Sequence, residues 1–204
     1  MNVAILGGTG TFGTVLTEKL LSDTDCRITI FSRHAGDVKY NNSRVCTVSG
    51  DALNLEELEK VLKGHDVIYC AISGNRLPEV ADNLVKCMSK SEVQRLIFMG
   101  AVGIYDEIPD EMDGKDNVSN NPEQLPNRKA VDIIEFSNLN YTIVRPGFLR
   151  EGAEDDYVLT LKEQIAKGYI STISSVVNLA ISLILDDTLY SRGNVCITRN
   201  MTDK

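Results

Sequence analysis

Continuous apolar runs, rather than alternating ones, mark the strands of this chain. Val3–Leu6 and Val67–Ile72 are apolar nearly throughout, the pattern of parallel strands covered on both faces. The same reading places strands at Arg27–Phe31, Val45–Val48, Arg95–Met99 and Tyr141–Arg145, with two more near Tyr157–Leu161 and Val195–Thr198. Between them, apolar residues recur at helical spacing in Thr14–Leu21, Leu55–Lys63, Pro78 to about Lys90, Arg128–Phe136 and Ser175–Leu185. Punctuation agrees. Asn54 followed by Glu57 is a capping-box start, Gly64 suits a helix C′ position, and Pro78 suits a first turn.

Strands and helices alternating in this way predict an α/β fold: one doubly wound parallel sheet of the Rossmann type, helices on both faces. The expected strand order is 3-2-1-4-5-6, extended by the C-terminal strand. The expectation is a single domain over 1–204, with small substrate-side portions at 100–125 and 147–175.

The periodicity vanishes from Gly100 to about Glu123. Tyr105–Glu123 carries Asp106, Glu107, Asp110, Glu111, Asp113, Asp116 and Glu123 against Lys115 alone. This stretch leaves the C-terminal end of a strand, the edge where α/β sheets bind ligands, so a substrate-side lid and a plain surface loop are both open. Its carboxylates read as solvated charge. They lack EF-hand spacing, and no metal site is expected.

The strongest local feature is the first turn. Gly7-Gly8-Thr9-Gly10-Thr11-Phe12-Gly13 lies between the first strand and the first helix. Strand, glycine turn and helix N-terminus together aim free N–H groups and the positive dipole end at one point, an anion site. The sequence fits Gly8-x-Gly10-x-x-Gly13, the dinucleotide fingerprint, and also a variant beginning at Gly7. The early glycines permit the turn, Gly10 allows close approach of a pyrophosphate, and Gly13 allows close helix–strand packing.

About 20 residues on, an NAD site normally carries an acidic residue for the ribose 2′-hydroxyl. Here Ser32-Arg33 ends the second strand. A guanidinium at that place favours a 2′-phosphate through charge-assisted hydrogen bonds, hence NADP over NAD; the alternative is a solvated loop arginine. Asp37 lies farther from the strand end and is the weaker candidate for a ribose contact.

Composition adds exclusions. The formal net charge is −8 and no basic patch interrupts it, so nucleic acid and anionic membrane are not expected partners. Five cysteines are an odd number without CxxC spacing, and Cys46, Cys70 and Cys196 sit in apolar runs as small hydrophobes. A reducing, cytoplasmic setting follows. The first strand begins without a basic leader, unlike a signal peptide, and no apolar run approaches membrane-spanning length.

Three stretches together, the glycine turn, Gly50-Asp51-Ala52 and Asn140-Tyr141-Thr142-Ile143-Val144-Arg145-Pro146-Gly147, resemble the atypical short-chain dehydrogenases/reductases. The resemblance is to the NAD(P)H-binding group with NmrA-like proteins and biliverdin-reductase-B-like flavin reductases. To the cofactor contacts expected from the turn and the end of the second strand (Gly7, Thr9, Gly10, Thr11, Phe12 and Gly13, with Ser32 and Arg33) the resemblance adds others. It implies that Asp51 and Ala52 lie near the adenine, that Ala71, Ile72 and Ser73 border a ribose, and that Pro146 and Gly147 flank the nicotinamide.

The chain departs from that pattern at the proton donor. No tyrosine has a lysine four residues later; Gln124 and Arg128 stand where the Tyr-Lys pair belongs, and Gly100-Ala101 where a serine belongs. Tyr105 is the one candidate donor in the nearby loop, with packing as its other reading. The expectation is an NADP(H)-binding oxidoreductase that reduces a small delocalised acceptor, a flavin or quinone, without the pair. The alternative is a non-catalytic NADP-binding redox sensor of NmrA-like type, and sugar-nucleotide epimerase or dehydratase chemistry ranks behind both. The acceptor's identity and the number of subunits are left open by the sequence.

Overall fold

In the computed structural model, residues 1–152 and 156–200 are described. In chain order they form β1 (Asn2–Leu6), α1 (Thr11–Asp23), β2 (Arg27–Ser32), β3 (Val45–Ser49), α2 (Leu55–Leu62), β4 (Val67–Cys70), α3 (Leu77–Met88) and β5 (Arg95–Met99). There follow α4 (Leu125–Glu135), β6 (Asn140–Pro146), β7 (Phe148–Arg150), β8 (Val158–Leu161), β9 (Ile170–Thr172), α5 (Ile173–Leu185) and β10 (Gly193–Thr198). The expected 3-2-1-4-5-6 sheet is present and continues as β10-β8. Every neighbouring pair in it is parallel except β10 with β8.

Both faces are covered, which is why β1 and β4 are apolar without alternation. On one face Ala4, Leu6, Ile68, Cys70, Leu96 and Phe98 pack under α2, α3 and α4. On the other Val3, Ile5, Val67, Tyr69 and Ile97 pack under α1 and α5. Helix boundaries follow the caps. The Asn54 side chain accepts from the N–H groups of Glu56 and Glu57, and Gly64 takes φ +77° just past α2. Helix α4 begins three residues earlier than its apolar spacing indicated, because Pro126 occupies the first turn, where its missing N–H costs nothing. Helix α5 begins two earlier, capped by Thr172, whose side chain accepts from the Ser175 N–H at 3.1 Å.

Two expectations need correction. Cys46 is exposed, not a buried hydrophobe, because β3 is an edge strand with little packed over it. Glu107, read as solvated charge, is 3% exposed and paired with the Arg145 side chain, which is 0% exposed. The segment between β5 and α4 is in fact pinned to the core. Val102, Ile104 and Ile108 are buried, and Asn117 exchanges two hydrogen bonds with the Ile108 backbone, at 3.0 and 2.7 Å. Strands β7 and β9 form a separate parallel pair that the sequence did not announce. Of the 147–175 portion, residues 153–155 lie outside the described residues.

Candidate cofactor site

The turn after β1 is built by backbone constraints. Gly7 has φ +78°, and a Cβ there would meet the Ala71 carbonyl group at 3.1 Å, so two separate demands exclude a side chain. Its N–H donates to Phe31 O at 2.9 Å, and the Gly10 N–H donates to Gly7 O at 3.1 Å. A Cβ on Gly13 would meet the Gly8 backbone at 2.5 Å, whereas one on Gly10 would meet only Gly7 O, at 3.4 Å. Gly13 therefore serves packing and Gly10 serves open space.

Helix α1 begins from Gly10 with no side-chain cap, so its first-turn N–H groups face outward with the positive end of the helix dipole. Gly10 and Thr11 are exposed. The Phe12 ring is buried instead, stacked on Tyr69 with centroids 5.5 Å apart.

A cavity of about 410 Å³ opens beside this turn. Gly7, Thr9 and Gly10 form one wall, Phe31 to His34 another, Gly50 to Leu53 a third, and Ala71 to Leu77 with Val80 the last. The hydroxyls of Thr9 and Ser32 lie 2.7 Å apart, tying the turn to the end of β2. Asp51 is held by its N–H on Glu57 Oε2 at 2.8 Å, and the Asn83 amide binds the carbonyls of Ala52 and Leu53 at 3.1 and 3.2 Å. Arg33, His34, Asp51 and Arg76 are the titratable side chains of the lining. In a chain of net charge −8, two arginines against one aspartate make this lip locally cationic. Arg33 is exposed and makes no ion pair or hydrogen bond among the described residues, while Arg76 donates from Nε to Glu79 Oε1 at 2.8 Å.

Of the residues the sequence singled out, Gly7, Thr9, Gly10, Ser32, Arg33, Asp51, Ala52, Ala71, Ile72 and Ser73 come together around this cavity. Thr11, Phe12 and Gly13 lie next to it at the start of α1 but do not line it. Pro146 and Gly147 are at the end of β6, three strands from β1. His34 and the run Gly74–Leu77 were missed, although the loop after β4 leaves the same sheet edge as the glycine turn. One more residue beyond Arg33 reaches His34, and the loop from Ser73 to the first turn of α3 holds Gly74–Leu77.

The proton-donor positions are committed elsewhere. Gln124 donates from Nε2 to Val102 O at 3.3 Å. Arg128 binds Asp132 through Nε at 2.9 Å and Ile104 O through Nη1 at 3.2 Å. The Tyr105 hydroxyl donates to Glu135 Oε2 at 3.2 Å and accepts from Asn194 Nδ2 at 3.0 Å. Cations of Arg128, Lys162 and Arg145 sit 4.5, 4.8 and 5.1 Å from its ring centre. Burial, then the neighbouring Glu135 carboxylate, push the phenol well above its ordinary pKa, the wrong direction for a ready proton donor. Tyr105 does not line the cavity.

The uncapped turn, the space at Gly10 and the cationic lip fit a dinucleotide, and similarity to known proteins points the same way. A family model described as NAD(P)H-binding matches residues 7–187. A short-chain dehydrogenase/reductase from Veillonella parvula DSM 2008 in complex with NADP is 24% identical, with TM-score 0.89 over 100% of this chain and 96% of that one. A Rossmann-fold NAD(P)-binding family protein from Shigella flexneri is 29% identical, with TM-score 0.85 over 100% and 95%. An anaerobillin reductase from Escherichia coli O157:H7 shares the fold at 17% identity, with TM-score 0.82 over 100% and 99%. No curated protein matches the sequence. The matched span takes in the glycine turn and every residue of the cavity, and the chain belongs to the NAD(P)H-binding family.

Proposed function

We propose that this protein is an NADPH-dependent reductase of a small delocalised acceptor such as a flavin or quinone. The observation that carries this is the disposition of the proton-donor positions: Gln124, Arg128 and Tyr105 are each hydrogen-bonded to groups of the fold. When bound, the nicotinamide supplies a hydride, and water supplies the proton that completes the two-electron reduction. The open N–H groups at Gly10 and α1 hold the diphosphate, and Asp51 with Ala52 border the adenine. Ala71 to Ser73 border a ribose, and Pro146 with Gly147 flank the nicotinamide. Ser32 and Arg33 take the 2′-phosphate, so NADPH is preferred over NADH. Five unpaired cysteines support a cytoplasmic setting, and no helix among the described residues is long and apolar enough to cross a membrane.

NADPH oxidation is to be followed with flavins and quinones beside simple ketones and aldehydes. A general acid contributes about 10² to 10⁴ in rate, so the unactivated carbonyls should turn over poorly. Brisk ketone reduction would show that a proton donor has been missed. The same committed side chains also favour a second reading, a non-catalytic sensor of the NADP pool. Tight NADPH binding with no oxidation by any acceptor would select it.

A further inference from the structure

Beyond Pro146 the chain enters β7, where the side chains of Phe148, Leu149 and Arg150 are all exposed, Phe148 to 56%. Phe136 is more exposed still, so it is the placing of Phe148 beyond the C-terminal end of β6, on the edge where α/β sheets bind ligands, that sets this ring apart. The ring is held in place. It stacks on Tyr169 with centroids 6.2 Å apart and planes at 23°, and the Phe148 N–H donates to Tyr169 O at 2.6 Å. The Tyr169 hydroxyl donates in turn to the Asp116 carboxylate in the segment after β5. Both stretches read as substrate-side thus brace this ring. Arg150, two residues on and therefore on the same side of the strand, has its guanidinium 5.9 Å from the ring centre. It makes no hydrogen bond or ion pair among the described residues.

The position of this ring relative to the cavity follows from strand order. The cavity lies at the C-terminal ends of β1, β2 and β4, and Phe148 follows the same end of β6. With strands about 4.8 Å apart, β6 lies about 14 Å from β1. A dinucleotide whose adenosine sits toward β2 and whose diphosphate sits on Gly10 extends in that direction.

We propose that Phe148 and Arg150 form the acceptor platform. A planar, delocalised acceptor bearing a peripheral phosphate or carboxylate lies against the Phe148 ring, and Arg150 binds its anionic group. This rests on the reductase reading and names the acceptor class it leaves open.

The test uses the full chain saturated with NADP⁺ and two flavins, FMN and lumiflavin, which share the ring system but differ in the phosphate. Flavin fluorescence quenching gives each affinity. Arg150→Ala should weaken FMN about tenfold, the effect of losing one charge-assisted hydrogen bond, and leave lumiflavin unchanged. Phe148→Ala should weaken both, again about tenfold, whereas Phe148→Tyr keeps a ring and should retain both. NADPH affinity, read separately by its fluorescence enhancement, should be the same in all four proteins. An Arg150→Ala protein with an unaltered ratio of FMN to lumiflavin affinity overturns the platform. So does a Phe148→Ala protein that binds both flavins normally but has changed its sedimentation, since the ring would then cover a second copy. If the wild type binds NADPH but neither flavin, the platform fails and the cofactor reading stands. If the wild type does not bind NADPH, the reading beneath the platform fails and takes it along.

Discussion

Arg145 of β6 and Glu107 of the segment after β5 form an ion pair in the protein interior, with side chains 0% and 3% exposed. Arg145 Nε and Glu107 Oε2 have partners too, while the buried Arg145 Nη2 has none among the described residues. Arg145 Nε donates to Asn194 Oδ1 at 2.7 Å, and Glu107 Oε2 accepts the Tyr105 N–H at 2.9 Å. The pair therefore fastens the otherwise aperiodic segment to the sheet, and through Asn194 it reaches the Tyr105 hydroxyl and Glu135.

Removing one partner leaves a charge buried without its counter-ion, which costs about 3–5 kcal/mol. Glu107→Ala should lose stability on that scale in urea unfolding. Replacing both, as Glu107→Leu with Arg145→Met, should recover most of it, because an apolar pair of similar volume needs no desolvation. A double variant as unstable as the single one would show that the pair acts through something other than buried charge.

Gly10 and Gly13 should separate binding from folding. Gly10 has φ −73° and room for a methyl group, so Gly10→Ala should melt like the wild type while NADPH binding weakens sharply. Gly13→Ala places a Cβ 2.5 Å from the Gly8 backbone; it should lower the melting temperature and impair binding only as a consequence. Thermal melts beside NADPH titrations decide this, and a Gly10→Ala protein of wild-type affinity would remove the pyrophosphate from that turn.

The two cationic lips of the cavity should contribute unequally. Arg33 has no partner to give up among the described residues, whereas Arg76 must leave Glu79. Arg33→Ala should weaken NADPH by about ten- to a hundredfold, matching a charge-assisted hydrogen bond, with NADH unaffected. Arg76→Ala should have a smaller effect on NADPH. Equal losses for NADPH and NADH in Arg33→Ala would count decisively against the 2′-phosphate assignment.

Stability should fall at both ends of the pH range, for opposite reasons. Burial holds the His65 imidazole below its ordinary pKa, with Nε2 2.8 Å from Thr29 Oγ1. Below about pH 6.5 the unfolded chain takes up a proton that the folded one refuses. This contribution is therefore present above that pH and is lost as pH falls. His65→Gln should flatten the acid limb of a stability–pH curve. At the other end, Tyr40, Tyr69, Tyr105, Tyr141 and Tyr169 are all raised, each chiefly by burial. Above about pH 10 the unfolded chain ionises its phenols first. Stability should then drop steeply, which urea unfolding across the alkaline range would reveal.

What the sequence determined by itself was the part written in short-range pattern. An apolar run that meets glycines and then helical spacing can be satisfied by one local structure, and Val3 through Leu21 folds that way. Crossovers of one hand, joining strands that need cover on both faces, leave few sheet orders, and 3-2-1-4-5-6 is among them. Most of the cavity was legible for the same reason: its walls are the turns that leave one edge of that sheet, and each follows a recognisable strand.

Only the tertiary structure decided what depends on a distant partner. Glu107 looks like any other carboxylate of an acidic stretch until Arg145, 38 residues away, meets it in the interior. Cys46 is apolar in its run but exposed in fact, because burial depends on whether a neighbour covers an edge strand. Arg128 keeps the spacing of a site residue yet turns to Asp132 and Ile104 O. Strands β7 and β9 are three residues each, too short for any periodicity, and each exists through hydrogen bonds to the other. Local propensity sets the conformation of a segment; the energy that selects a side chain's environment is paid across the fold, and there the one-dimensional pattern carries no signal.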